Sequence, residues 1–270
     1  MNYSPLKLTS LLLVLGLNSF QTTTNAAEPL RGLIITGGCC HDYGNQSNII
    51  AKGISARANI SFDVKYQGGT DRNIKIPVYE NKDWAKAYDI IIHNECFGGV
   101  TDVDWVENIA KTHRDTGIAA AVIHCSMHSY RNAKTDEWRK LLGVTSRSHE
   151  GHRAVTVENL DPNHPIMKNF PLKWKTPKGE LYKIEKIWPN TKVLGQAYGK
   201  DTKKDHLCIW TNTYGKARVF GTTLGHHNET MQEEVYLDFL SRGILWACKQ
   251  LTEKGDPKSG YGPKKKITQK

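Results

Sequence analysis

Short apolar runs alternate with amphipathic stretches through the first half of the chain. The run "RGLIITGG" is typical of a strand buried on both faces, because its apolar residues are continuous and end in glycines. The amphipathic stretches repeat their apolar residues with helical spacing instead. We predict strands over 31–38, 61–67, 88–95 and 118–125, and helices over 45–59 and 101–117. This alternation predicts a mostly parallel, doubly wound sheet with helices on both faces.

The pattern changes after residue 150. Strand-like runs now follow one another and are separated by Asn, Pro and Gly turns, without helical stretches between them. The segment "NTYGKARVF" predicts a hairpin at Tyr214–Gly215. An amphipathic helix is predicted over 231–251. We therefore expect one α/β domain with an antiparallel β insertion before its last strand–helix pair.

The first 27 residues have the pattern of a secretory signal peptide. A single lysine, Lys7, precedes the apolar stretch 11–17, and small residues follow at Ala26 and Ala27. The apolar stretch is too short to span a bilayer. We expect residues 1–27 to be removed, and the protein to be periplasmic or secreted with no stable membrane anchor.

The positive charge of the chain is concentrated at its C-terminal end. The formal net charge is +10, and five lysines stand against one aspartate in residues 255–270. That segment lacks apolar periodicity, so we expect a disordered basic tail after an α/β domain over 28–254. No basic stripe lies on a nucleic-acid-binding motif, which argues against a nucleic-acid partner.

The six cysteines do not predict a disulfide framework. A domain of this length does not need covalent cross-links, and most of the cysteines lie at the ends of or inside apolar runs. One disulfide would be compatible with this placement. The simplest expectation is that Cys39, Cys40 and Cys125 are small buried thiols.

Histidine and other polar residues collect directly after the predicted strands. In an open α/β sheet, ligands bind beyond the carboxyl ends of the strands. Each residue taken alone is more readily explained as a satisfied polar group, but their concentration at four strand ends predicts a functional site. These residues are His41, Asp42 and Tyr43; His93, Asn94 and Glu95; His124, Ser126 and His128; and His226, His227 and Glu229.

The other histidines are expected to play no part in such a site. His149 and His152 lie in a loop before a predicted strand, where exposure to solvent is the default. His113 and His206 are predicted to be surface residues, and His164 is expected to shape a turn before Pro165.

Two kinds of chemistry could use the strand-end residues. Cys125 could be a nucleophile on a strand-to-helix turn, with His227 as base and Glu229 as its orienting carboxylate. However, a nucleophile elbow needs small neighbours, and Cys125 follows His124. Alternatively, imidazoles from separate loops could bind a divalent metal, zinc or similar, with Glu95 or Glu180. The number of histidines favours the metal.

An ordered set of motifs resembles the ThuA-like (trehalose-utilisation) family over nearly all of residues 31–250. The resemblance implies a class I glutamine-amidotransferase-like fold, which belongs to the flavodoxin-like class, and a role in sugar metabolism. It also implies a small-molecule sugar as partner, in particular a keto-sugar or 3-keto-glycoside. The motifs are "LIITGGCCHDYG", "HSYRNAKTDEWRKLLGV", "VENLDPNHPI", "GELYKI", "GKARVFGTTLGHH" and "LSRGILWACKQL".

The resemblance also implies particular site residues. The family's histidines fall on His41, His124 and His226, and its Glu-Leu-Tyr element supplies Glu180 and Tyr182. The chain departs from the family pattern at Gly179, at the Cys39–Cys40 pair and at His227, which stands beside His226.

We expect proton abstraction and elimination, or hydrolysis, on a keto-glycoside. A ketone acidifies the neighbouring C–H, so a base could remove that proton while a metal or a hydrogen-bond donor stabilises the enolate. The predicted catalytic residues are His124, His226, Glu180 and Glu95; the substrate-binding ones are His41, Tyr43, His128, Tyr182 and His227; and the metal ligands are His124, His226 and His41.

Two alternatives remain open at the level of sequence. The first is a non-catalytic carbohydrate-binding accessory domain, and the second is a Cys125–His227–Glu229 hydrolase or amidotransferase-like enzyme. The oligomeric state is not predicted.

Overall fold

A computed structural model describes Met1 and residues 27–264. The predicted signal peptide therefore lies outside the described residues, apart from Met1 and Ala27. The described chain forms a nine-stranded sheet of order β2-β1-β3-β4-β11-β10-β9-β6-β7 and a separate two-stranded sheet of β5 and β8.

Eleven strands, five α-helices and three short 3-10 helices make up the regular structure of the described residues. The strands are β1 Leu30–Gly38, β2 Ile60–Gln67, β3 Ile90–Cys96, β4 Ala119–Ile123, β5 Val144–His149, β6 Thr156–Asn159, β7 Lys173–Lys175, β8 Tyr182–Ile187, β9 Lys192–Gly199, β10 Lys204–Tyr214 and β11 Ala217–Thr222. The helices are α1 Tyr43–Ser55, α2 Val103–Thr116, α3 Glu137–Leu142, α4 Asn228–Met231 and α5 Glu234–Ala247.

The parallel half of the large sheet is covered on both faces. Strands β2, β1, β3, β4 and β11 pair in parallel. Successive residues of β1 point to opposite sides, so Ile34 packs with the residues of α1 and α5, whereas Leu33 and Ile35 pack with those of α2 and α3. The doubly wound α/β fold predicted from the sequence is confirmed.

The inserted strands extend the same sheet as an antiparallel half. Strand β10 pairs antiparallel with β11 and β9, and β6 joins β9 to β7. The hairpin between β10 and β11 turns through Gly215, whose φ of 57° is accessible to glycine without strain. Strands β5 and β8 instead form the separate two-stranded sheet. The segment leading into β8 lies at the carboxyl ends of the parallel strands, where Glu180 contacts the residues that follow β4 and β11.

The helices begin and end at residues with clear capping roles. The Asp102 carboxylate accepts from the Trp105 amide at 3.0 Å at the start of α2, and Gly117 ends that helix with a φ of 83°. The predicted 231–251 helix is observed as α5, with shorter ends, and the separate short helix α4 precedes it. Among the described helices, none is long and apolar enough to cross a membrane.

The expectation of a disordered tail from residue 255 is wrong for residues 255–264. The backbone of Leu251 forms a bridge with Pro257, and the Tyr261 carbonyl accepts from the Asn59 amide at 3.0 Å. The Tyr261 ring packs against the hydrophobic core. A single aromatic residue among turn-forming glycines and prolines anchors this segment, and such an anchor has no periodicity to reveal it.

Candidate functional site

Three histidines from separate strands meet at the carboxyl edge of the parallel sheet. His41 follows β1, His124 follows β4 and His226 follows β11. Their ligand nitrogens all lie within 4.8 Å of one another. His41 and His226, together with Glu180 and Tyr182, line a cavity of about 370 Å³, and the buried His124 contacts three of these residues. The convergence expected from the strand-end pattern is therefore present.

Three atoms of this group that could each bind a metal ion form a small triangle. His124 Nε2 lies 3.2 Å from His226 Nδ1. The Glu180 Oε2 oxygen lies 3.4 Å from each of these nitrogens. The His41 ring is 4.8 Å from that of His124 and 4.5 Å from that of His226, between ring centroids. Its buried Nδ1 has no hydrogen-bond partner among the described residues.

The backbone fixes the direction of the His124 lone pair. His124 Nδ1 lies 2.6 Å from the Thr223 carbonyl oxygen, which can only accept, so Nδ1 carries the proton. Nε2 is then unprotonated in the neutral ring and presents its lone pair to His226 and Glu180. The residue itself has a φ of 43°, a left-handed conformation that turns the chain out of β4.

Glu180 lies between four imidazoles. Its Oε1 oxygen is 2.9 Å from His149 Nδ1 and 3.1 Å from His152 Nε2, while Oε2 faces His124 and His226. The carboxylate side chain is only 3% exposed. His149 and His152 are exposed to solvent, as expected, but both line the cavity, contrary to the expectation that they play no part in such a site.

Burial and mutual interaction separate the charge states of this group. Burial alone would raise the pKa of Glu180, but the neighbouring His124 and His226 imidazoles hold that pKa below its usual range. Burial, reinforced by the neighbouring His124 and His226, lowers the pKa of His41 to about 2. Burial also lowers the pKa of His124. At neutral pH the Glu180 carboxylate is therefore ionised, and the His41 and His124 imidazoles are neutral.

Tyr182 and His128 form one wall of the cavity. Their rings stack at 4.1 Å with an interplanar angle of 3°, and the Tyr182 hydroxyl lies 3.3 Å from His124 Nε2. Burial lowers the pKa of His128 to about 3, so this ring is neutral. The wall combines a flat aromatic face with one hydroxyl close to the triangle of donor atoms.

Glu95, predicted as an alternative base, does not line the cavity. It is fully buried with His93 on the face of β3 that meets α2 and α3, and its Oε1 lies 3.0 Å from both Tyr79 Oη and His93 Nδ1. The sequence expectation was wrong because residues two apart on a strand share a face, and here that face is the helix-packing one.

Two other expected residues lie beside the cavity rather than in its lining. Tyr43 is buried, with its ring 5.4 Å from that of His41, and its hydroxyl has no partner among the described residues. His227 is half-buried, with its ring 4.3 Å from that of His226 and 5.4 Å from that of His152.

Four of the six cysteines are paired, contrary to the expectation that Cys39, Cys40 and Cys125 are buried thiols. Disulfides join Cys39 to Cys40 and Cys96 to Cys125, and all four residues line the cavity. Because β3 and β4 are neighbours in the sheet, their ends bring Cys96 and Cys125 within 5.3 Å between Cα atoms. Sequence spacing alone does not reveal that adjacency.

The disulfides remove the proposed Cys125 nucleophile. Cys125 has no free thiol in this structure. Its proposed orienting carboxylate, Glu229, pairs instead with Lys178 at 2.6 Å. The Cys125–His227–Glu229 alternative is therefore contradicted.

Two histidines predicted at the surface are buried in the structure. His113 Nδ1 donates to the Ile118 carbonyl at 2.8 Å. His206 Nδ1 accepts from the Ile184 amide at 3.0 Å. Each imidazole satisfies a local backbone group, and neither lines the cavity.

The chain matches a known family over most of its length. A family model described as "ThuA: Trehalose utilisation" matches residues 31–247. No curated protein matches the chain.

Solved structures share the fold at low sequence identity. A ThuA-like protein from Parabacteroides merdae superposes with a TM-score of 0.65 at 20% identity, covering 87% of this chain and 97% of that one. A ThuA-like protein from Bacteroides uniformis also gives a TM-score of 0.65, at 17% identity, covering 87% of this chain and 98% of that one. Part of a β-galactosidase from Rahnella sp. R3 gives 0.53 at 13% identity, covering 82% of this chain and 31% of that one.

Proposed function

Because the chain belongs to the ThuA (trehalose utilisation) family, we propose that it is a metal-dependent lyase or hydrolase that acts on a keto-sugar or 3-keto-glycoside. The observation that carries the proposal is the triangle of His124 Nε2, His226 Nδ1 and Glu180 Oε2, with sides of 3.2, 3.4 and 3.4 Å. His41, whose Nδ1 is unpartnered among the described residues, is the fourth candidate ligand.

The donor set suits a divalent ion such as zinc. Metal–ligand bonds of about 2.1 Å in tetrahedral or octahedral geometry separate neighbouring donors by roughly 3.0–3.4 Å. Neutral imidazoles and one carboxylate are ligands that zinc and similar ions accept. Without a cation, the His124 Nε2 lone pair faces the buried Glu180 carboxylate at 3.4 Å. A bound divalent ion would polarise a ketone oxygen of the substrate and stabilise negative charge on it.

The protein's own residues would orient the sugar and move the proton. Glu180 was expected to act as base, but both of its oxygens are engaged by imidazoles, so its proposed role is that of a ligand. We assign proton transfer to His152, which contacts Glu180 Oε1 at 3.1 Å and lines the cavity. The stacked faces of Tyr182 and His128 offer a surface for the sugar ring.

The experiment is metal analysis combined with turnover of a 3-keto-glycoside. The wild-type chain is expected to hold a divalent ion and to consume the substrate, and His124→Ala is expected to lose both. His164→Asn is the matched control, because His164 lies outside the cavity and Asn keeps an acceptor for the Ile166 amide. Metal-free wild-type protein that leaves the substrate intact would favour a non-catalytic carbohydrate-binding domain.

Export to the periplasm or the medium remains part of the proposal. The two disulfides support it, because disulfides persist in oxidising compartments and are rare in the cytosol. Cell fractionation followed by N-terminal sequencing tests the idea. We expect an extracytoplasmic chain that starts near Glu28, and a cytosolic chain that starts at Met1 would contradict it.

A further inference from the structure

The cavity contains two guanidinium groups that the proposed reaction does not use. Arg72 and Arg131 both line it. The only carboxylate in the lining is Glu180, and four imidazoles surround that group. Over residues 27–264, neither arginine has a carboxylate oxygen within 4.0 Å. The lining therefore carries an uncompensated positive charge before any metal is bound.

A pair of glycines after β3 holds both arginines at this place. The Gly99 amide donates to the Arg72 carbonyl at 2.9 Å, and a Cβ on Gly99 would lie only 3.1 Å from that oxygen. A Cβ on Gly98 would lie 3.3 Å from Arg131 Nε and 2.9 Å from the His128 carbonyl oxygen. The Gly98–Gly99 turn therefore allows an arginine to approach from each side.

The remaining contacts of the two arginines leave most of their donors free. Arg131 donates one Nη1 hydrogen bond to the Arg147 carbonyl at 3.1 Å. Arg72 Nη2 approaches only the Cys40 sulfur, at 3.9 Å. A guanidinium has five N–H donors in a planar fork that matches a carboxylate or phosphate. The unused donors call for an acceptor that carries negative charge.

We propose that Arg72 and Arg131 form an oxyanion-binding subsite of the cavity, and that the sugar bound here carries an anionic substituent, such as the carboxylate of a uronic acid. The inference rests on the proposed function for the identity of the ligand as a sugar. In this arrangement the arginines hold the charged end of the substrate, and the triangle of His124, His226 and Glu180 faces its reacting end.

The test compares sugars that differ only in charge. Binding of D-glucuronate, D-glucose 6-phosphate and D-glucose to the folded protein is measured by calorimetry at low salt. Charge-assisted hydrogen bonds predict that one or both anionic sugars bind about tenfold to hundredfold more tightly than glucose. Preference for glucuronate identifies a carboxylate as the ligand group, and preference for the phosphate identifies a phosphate ester.

Matched variants locate the subsite. Arg72→Gln and Arg131→Gln should each reduce the preference, and the double variant should abolish it. Arg147→Gln should retain it, because Arg147 is exposed and does not line the cavity. Arg72 is also exposed, so its single variant tests the idea even if a change at Arg131 disturbs folding.

The outcomes separate this inference from the proposed function. Equal binding of all three sugars, no binding of any of them, or a preference that survives in the double variant overturns the subsite. Equally efficient turnover of a neutral keto-glycoside and its carboxylate analogue would also overturn it while supporting the enzymatic proposal. Anion binding that depends on both arginines, in a protein that converts no keto-sugar, would support the subsite and contradict the enzymatic proposal.

Discussion

Two clusters of histidine and glutamate lie against the parallel half of the sheet, and they differ in the hydrogen-bond partners of their imidazoles. In the sealed cluster of His93, Glu95 and His113, His113 Nδ1 donates to the Ile118 carbonyl at 2.8 Å, which leaves its Nε2 to accept from His93 Nε2 at 3.1 Å. His93 Nδ1 lies 3.0 Å from Glu95 Oε1, which accepts from the Tyr79 hydroxyl at 3.0 Å. Each N–H and O–H donor of this network meets an acceptor, Glu95 Oε2 has no partner among the described residues, and the cluster is fully buried.

The open cluster of His41, His124, His226 and Glu180 has more acceptors than protons. The proton of His124 is committed to Thr223, so its Nε2 lone pair faces the Glu180 carboxylate at 3.4 Å, with the Tyr182 hydroxyl and His226 Nδ1 as the neighbouring candidate donors. Residue types that are nearly the same thus give a structural network in one place and a candidate cation site in the other. The difference depends on which backbone carbonyls consume the imidazole protons.

The same substitution in each cluster gives the largest predicted contrast. Glu180→Gln removes the only carboxylate of the open cluster, so we expect metal affinity and keto-glycoside turnover to fall at least about 100-fold, the upper range for loss of a supporting partner. Metal titration and initial rates measure the effect. Unchanged metal affinity in this variant would contradict the assignment of Glu180 as a ligand.

Glu95→Gln, in the sealed cluster, should act on stability instead. It removes the charge that His93 and Tyr79 contact, which should lower the free energy of unfolding by about 1–3 kcal/mol. Denaturant unfolding measures the loss. Metal content and turnover per folded molecule should remain at wild-type levels. A loss of turnover without a loss of stability would indicate that Glu95 has a catalytic role.

His152→Ala probes the outer contacts of Glu180. With one of the two imidazoles on Oε1 removed, metal affinity should fall about 10–100-fold, as is usual when a group that orients a ligand is lost. If His152 also transfers the proton, turnover at saturating metal falls as well. Restoration of full turnover by excess metal would limit His152 to positioning.

Acidification should lower the free energy of unfolding of the unsubstituted protein. Burial lowers the pKa of His41 to about 2 and those of His113 and His128 to about 3. The unfolded chain, in which histidine titrates near 6.5, binds more protons below that pH, so the free energy of unfolding falls as the pH decreases from about 6.5 toward 3. Denaturant unfolding of metal-free protein at pH 7 and pH 5 checks the direction, and equal stability would contradict the burial of neutral imidazoles.

Cys125→Ser should have the smallest effect on chemistry. The disulfide to Cys96 holds neighbouring strand ends together, so stability falls, but no step uses a thiol. Turnover of the folded variant should stay within about threefold of wild type, in contrast to the loss of four orders of magnitude or more expected for a catalytic nucleophile. If Cys125→Ser loses turnover and the turnover of the wild-type protein is insensitive to chelators, the hypothesis of a Cys125 nucleophile would be supported.

The convergence of His41, His124 and His226 could be predicted from the sequence because a parallel sheet places the carboxyl ends of its strands along one edge. The runs before His41, His124 and His226 end where apolar character stops, so their convergence follows from topology. Glu180 was one of two candidate carboxylates in the metal hypothesis, and Tyr182 was reached only through the family resemblance, because the segment that carries both residues belongs to the insertion.

The errors have physical causes. Alternate residues of a strand point to opposite faces of the sheet, and an apolar run that is buried on both faces does not show which face Glu95 takes. His149 and His152 reach the cavity because β5 and β8 fold over the sheet, a path that local pattern does not encode. The disulfides likewise depend on which strands become neighbours.

The most direct measurement is anomalous diffraction from crystals of the protein loaded with zinc, recorded at the zinc absorption edge. We predict a single strong peak within bonding distance of His124 Nε2, His226 Nδ1 and Glu180 Oε2. A crystal that shows no anomalous peak among these three atoms, with their side chains ordered as described, would contradict the claim that they form a metal site.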